Sequence, residues 1–97
     1  MHDQEQARLH ATIEGRVQGV GFRYFVMEKA NALDLTGWVR NRWDDTVEVT
    51  AEGPRPDLEK LLAALRRGPS ASFVSAVRFD WQTATGEYSR FQVAPTS

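Results

Sequence analysis

Across residues 8–33 the hydrophobic period of the chain changes from two to 3.6, and a glycine-rich stretch separates the two regimes. Before it, Leu9, Ala11 and Ile13 alternate with Arg8, His10, Thr12 and Glu14, the pattern of a half-buried strand. After it, Phe22, Phe25, Val26, Ala30 and Leu33 recur at helical spacing and leave Glu28, Lys29 and Asn31 for solvent. A strand therefore feeds a helix through Gly15-Arg16-Val17-Gln18-Gly19-Val20-Gly21-Phe22-Arg23. Glycines 15, 19 and 21 allow positive φ, so that successive N–H groups can converge on one ligand. A helix start adds unpaired donors and partial positive charge, so the junction reads as an anion cradle. Arg23 supports this, because a first turn favours Asp or Glu and a cation there opposes the helix dipole until an anion joins it.

The rest of the chain sets this junction in a fold. Thr36–Asn41 reads as a second strand, Arg42-Trp43-Asp44-Asp45 as a hairpin connection and Thr46–Glu52 as a third strand. Gly53-Pro54-Arg55-Pro56 is a breaker cluster that opens a second helix carrying Leu58, Leu61, Leu62 and Leu65. Arg66 and Arg67 complement that helix's C-terminal end and Gly68-Pro69 stops it. Val74, Ala76, Val77, Phe79 and Trp81 suggest a fourth strand, Thr83–Gly86 a turn, and Arg90–Val93 a short last strand. The order βαββαβ plus a short C-terminal strand predicts an α+β, ferredoxin-like split βαβ sandwich: an antiparallel sheet with two helices on one face. In that topology the first two strands run parallel with the third between them. The glycine stretch and Asn41 are then predicted neighbours at one end of the sheet.

Size and charge narrow the function classes. The 97 residues suit one domain, expected over 8–97, with residues 1–7 as a disordered N-terminal arm that lacks the basic and apolar regions of a signal peptide. Without cysteine there is no disulfide framework, thiol nucleophile or thiolate metal site. A net charge of −1, with neither sign in blocks, gives no footprint for nucleic acid or an anionic membrane. No apolar run approaches the roughly 20 residues of a membrane span. A cytoplasmic monomer is expected. His2 and His10 read as solvated, and Glu48, Glu52 and Glu59 form no metal-ligand grouping, so neither metal nor cofactor is expected.

Nucleotide motifs fail at the glycine stretch. Walker A needs Gly-Lys-Ser or Gly-Lys-Thr five residues after its first glycine, whereas Val20 stands five after Gly15. The dinucleotide pattern fails at Tyr24, three residues after Gly21. Gly21-Phe22-Arg23-Tyr24-Phe25-Val26 echoes an aromatic RNA-binding strand, but its period is helical.

The chain resembles the acylphosphatases. The likeness is carried by Gly15 through Arg23, by Gly37-Trp38-Val39-Arg40-Asn41, by Thr46-Val47-Glu48 and by Gly68-Pro69, in the right order over nearly the whole chain. The resemblance implies a metal-free hydrolase of acyl phosphates. In it Arg23 and the amides of the loop (Gly15, Arg16, Val17, Gln18, Gly19, Val20, Gly21, Phe22) bind the phosphoryl group, a site that would also take phosphate or sulfate, and Asn41 positions the attacking water. Asp34 and Asp45 stand where the family usually has glycine, and Asp tolerates the left-handed backbone both turns require at modest cost.

The remaining side chains read as structural. Trp38 and Trp81 are expected in the core or against a helix, and Trp43 as a turn aromatic. Gln18 reads as a loop residue whose backbone matters, and Arg16 either adds field to the cradle or points to solvent. Two rival functions share the fold: a noncatalytic anion-binding or interaction module, and an RNA-binding domain that would use its sheet face.

Overall fold

A computed structural model describes residues 5–97. The elements are β1 (Gln6–Arg16), α1 (Phe22–Ala32), β2 (Thr36–Asn41), β3 (Val47–Pro54), α2 (Arg55–Arg67), β4 (Phe73–Gln82) and β5 (Phe91–Val93). They form one five-stranded sheet in the order β4-β1-β3-β2-β5, with both helices packed on one face. β3 runs antiparallel to β1 and β2, so β1 and β2 are parallel to each other, as the split βαβ topology predicts.

Alternation decides which face is buried. Across the sheet, Leu9 is level with Ala51 and Gly37, Ala11 with Val49 and Val39, and Ile13 with Val47 and Asn41. The apolar members of these rows are fully buried beneath Phe22, Val26 and Ala30 of α1 and Leu58, Leu61 and Leu65 of α2. α2 follows its sequence signals closely. It carries Asp57 in the first turn, Arg66 and Arg67 in the last, and ends at Gly68, whose φ is 67°. α1 ends in a Schellman motif: Leu35 N–H donates to the Ala30 carbonyl at 2.9 Å and Asp34 N–H to Asn31 at 3.1 Å, with Asp34 at φ 56°. Asp45 likewise takes φ 74° in the β2–β3 hairpin, so both aspartates occupy the left-handed backbone expected of the family glycines.

Several expectations need correction. The sheet is mixed, because β5 joins β2 in parallel. The chain leaves β4 at one edge, crosses the open face and returns reversed at the other edge. Gln6 and Ala7, assigned to the arm, belong to β1 and pair with Pro54 and Gly53, while residues 1–4 of that arm lie outside the described residues. β3 correspondingly runs on through the breaker cluster as far as Pro54, where a strand end has no need of the missing N–H. Trp38 is not core. It lies on the open sheet face, its indole N–H donating to Tyr88 Oη at 3.3 Å and its ring covered by the Arg40 guanidinium at 4.5 Å.

That open face carries charge pairs. Glu48 accepts hydrogen bonds from Arg40 (2.8 Å) and Arg42 (3.0 Å), and its other oxygen lies 2.7 Å from His10 Nε2, so His10 is engaged and not merely solvated. Glu52 accepts from Arg8 and from the Thr85 and Gly86 N–H groups, which pins the β4–β5 crossover to the sheet. Arg8, Arg40 and Arg42 are thus each paired with a carboxylate on this face.

Candidate active site

The ladder between β1 and β4 slips at Glu14/Gly15, Gly15 and Arg16 still pair with Val74 and Phe73, and the chain leaves the sheet after Arg16. Val17 and Phe22 are buried and anchor the two ends of the loop, while Val20 packs partly against the core. Between them Gly19 and Gly21 sit at φ 72° and 80°, and nothing lies within 4 Å of where a Cβ would stand on either. These two glycines keep open space above the backbone, as close approach of a ligand requires. Among the described residues, the N–H groups of Val17 through Gly21 make no hydrogen bond. Gly21 is the N-cap of α1, no side chain caps that end, and the first turn holds no acid. The Phe22, Arg23 and Tyr24 amides precede the first intrahelical bond, Phe25 N–H to the Gly21 carbonyl at 3.0 Å, and add to the donors left for an anion.

Arg23 is half-buried in this first turn, and among the described residues it makes no ion pair; neither does the exposed Arg16. Asn41 closes β2 at the end of the sheet where the loop leaves β1, on the helix-covered face beside Val47. Its Oδ1 is buried and has no hydrogen-bond partner among the described residues. A buried amide oxygen left unpaired costs about 1–3 kcal/mol, which makes it a candidate acceptor for something the site binds. The Asn41 backbone is well held, its carbonyl accepting the Ser97 N–H at 3.1 Å.

Gln18 contributes more than its backbone, since its Nε2 donates to the carbonyls of Arg42 (2.8 Å) and Thr46 (2.9 Å) across the hairpin that follows Asn41. Topology places the loop beside Asn41, but periodicity carries no information on which way a loop side chain turns. Trp43, in the same hairpin, is 81% exposed.

Gly15, Arg16, Val17, Gln18 and Asp45 line a cavity of about 470 Å³ on the loop side. A second, of about 400 Å³, lies among Trp38, Arg40, Tyr88 and Arg90, away from the loop. Among the described residues no three His, Asp or Glu side chains group as metal ligands, and no helix is long and apolar enough to cross a membrane.

Comparison with known proteins places the chain in a family. The profile of the Acylphosphatase family matches residues 9–93. An acylphosphatase of Syntrophotalea carbinolica is 49% identical over 86 residues, covering 89% of this chain and 94% of the relative. The crystal structure of acylphosphatase from Bacillus subtilis superposes with a TM-score of 0.87 at 38% identity, covering 91% of this chain and 98% of that one. Full-length HypF in its phosphate- and nucleotide-bound form reaches the same TM-score of 0.87 at 27% identity, and the match covers 98% of this chain but 13% of HypF. With the family profile spanning residues 9–93 and acylphosphatases matching about nine-tenths of the sequence, this chain belongs to the acylphosphatase family, enzymes that hydrolyse acyl phosphates.

Proposed function

We propose that the chain hydrolyses the carboxyl–phosphate bond of small acyl phosphates without a metal, with Arg23 and the loop amides binding the phosphoryl group and Asn41 positioning the attacking water. The substrate is a mixed anhydride whose leaving carboxylate has a pKa near 4, so it departs without a general acid. Transfer passes through a loose transition state with charge on the equatorial oxygens, and catalysis reduces largely to positioning and electrostatics. The planar Arg23 fork suits two of those oxygens, and the unpaired amides from Val17 onward suit the others. Water oxygen bonds to phosphorus as the acyl C–O–P link breaks on the phosphorus side. The carboxylate leaves with the electron pair, and the spare water proton passes to a phosphate oxygen.

The observation that carries this reading is the buried, unpartnered Oδ1 of Asn41. It can accept a hydrogen bond from water while the amide nitrogen donates to phosphate, which fixes the nucleophile in line. Asn41→Ala is expected to lower kcat for benzoyl phosphate by about 10²-fold or more, while inhibition by inorganic phosphate is retained. Equal loss of turnover and phosphate affinity would make Asn41 a binding residue. Wild-type turnover should persist in excess EDTA, and dependence on an added divalent ion would overturn the metal-free part.

A further inference from the structure

Gln18 lies between the glycines of the cradle, yet both hydrogens of its amide are used on another part of the chain, the carbonyls of Arg42 and Thr46. Those two carbonyls already close the hairpin. Arg42 oxygen accepts the Asp45 N–H at 3.2 Å and Thr46 oxygen accepts the Arg42 N–H at 2.9 Å. With Gln18 added, each uses both lone pairs. Among the described residues these are the only side-chain hydrogen bonds joining the loop to the hairpin, and Asn41 is the residue immediately before Arg42. The hairpin's other side-chain links, Arg42 to Glu48 and Asp44 to Thr46, stay within β3 and the turn itself.

We infer that Gln18 is a positioning residue: its side-chain amide sets the spacing between the phosphoryl cradle and Asn41, and so aligns the water with the bound phosphorus. This rests on the roles proposed for Arg23 and Asn41 and adds a third part to them. With both donors committed to the hairpin, the Gln18 side chain has none left for substrate. Its loss should therefore leave phosphate bound and blur the line of attack, a step in which a shift of about 1 Å is worth about 10²-fold in rate.

The test is Gln18→Met, which keeps length and approximate volume and removes the amide, whose oxygen makes no hydrogen bond among the described residues. It is assayed on benzoyl phosphate at a temperature where circular dichroism shows the variant fully folded. The expected result is a kcat lowered about ten- to hundred-fold, with KM and the inhibition constant of inorganic phosphate within about two-fold of wild type. An unchanged kcat with only a lower unfolding midpoint would overturn the inference, as would a rise in KM and the phosphate constant at constant kcat. Should Gln18→Met fail to fold, Gln18→Lys supplies donors of similar reach and is expected to restore most of kcat; a folded Gln18→Lys without turnover is the adverse result. Asn41→Ala run alongside separates the levels. If it abolishes turnover and Gln18→Met does not reduce it, this inference fails alone; if Asn41→Ala leaves kcat intact, the reading of Asn41 fails first.

Discussion

Gly15 packs against Phe73 backbone to backbone: a Cβ on Gly15 would overlap the Phe73 carbonyl oxygen, with the Ser75 nitrogen 2.8 Å away. The φ of Gly15 is +127°, a region that L side chains seldom enter. Gly19 is the opposite case, with positive φ but open space around it. Gly15→Ala should therefore cost about 2–4 kcal/mol in urea denaturation, since backbone on two strands has to move. Gly19→Ala should cost only about 1 kcal/mol for the left-handed residue and fold normally, yet its methyl enters the ligand's space and kcat/KM falls. Equal stability losses in the two variants would contradict this division.

Arg23 gives a trade between stability and activity. A cation in the first turn opposes the dipole of α1, and no side chain of the described residues offsets it. Without phosphate and at low salt, Arg23→Gln should be as stable as wild type or about 0.3–1 kcal/mol more so. Saturating inorganic phosphate should raise the wild-type melting temperature and leave the variant nearly unmoved, because binding to the folded state is what stabilises it. Benzoyl phosphate turnover should fall by about 10²-fold or more. A variant stabilised by phosphate as strongly as wild type would remove Arg23 from the binding site.

The parts of the fold legible in sequence are those fixed by period and turn chemistry. Leu9, Ala11 and Ile13 declared β1, the leucines of α2 declared its buried face, and the order of elements placed Asn41 at the loop's end of the sheet. What escaped depends on tertiary pairing. Trp38 looks like core by composition, but it shares a row with Thr50 and His10 on the open face, and only the register reveals that. Gln6 and Ala7 carry no strand signal of their own and become strand because Gly53 and Pro54 extend the partner. Gln18 illustrates the same limit at the site: the glycines around it announce a loop, while the hairpin carbonyls that orient it are 24 and 28 residues away.

Asp34 marks a place where the sequence is locally suboptimal. It sits at the left-handed position after α1, exposed and, among the described residues, without a side-chain hydrogen bond, and its charge adds to the negative end of the helix dipole. Asp34→Gly relieves both the backbone and the charge and should stabilise by about 1 kcal/mol in urea denaturation. Asp34→Ala removes the charge but keeps the Cβ in the left-handed region, so it should gain less than the glycine variant. An alanine variant that outperforms glycine would show that the left-handed backbone is no burden at this turn.

Acid should reach the fold through the open face. Burial pushes the Glu48 carboxyl up, but the hydrogen bonds from His10, Arg40 and Arg42 outweigh it and hold Glu48 below its ordinary value. Glu52 behaves alike, burial being outweighed by the Thr85 and Gly86 N–H groups and by Arg8. A carboxyl depressed in the folded state contributes stability that is complete above the unfolded value, about 4.3, and is lost as pH falls through the lower folded value. The unfolding midpoint should thus be flat with respect to these two groups from neutral pH down to about 5, then drop steeply. Glu48→Gln should lose roughly 1–3 kcal/mol at pH 7, because Arg40 and Arg42 lose their countercharge, and its acid slope should be shallower than that of wild type. A variant with the wild-type slope would show that Glu48 titrates alike in the folded and unfolded chain, and that the acid dependence comes from elsewhere in the molecule.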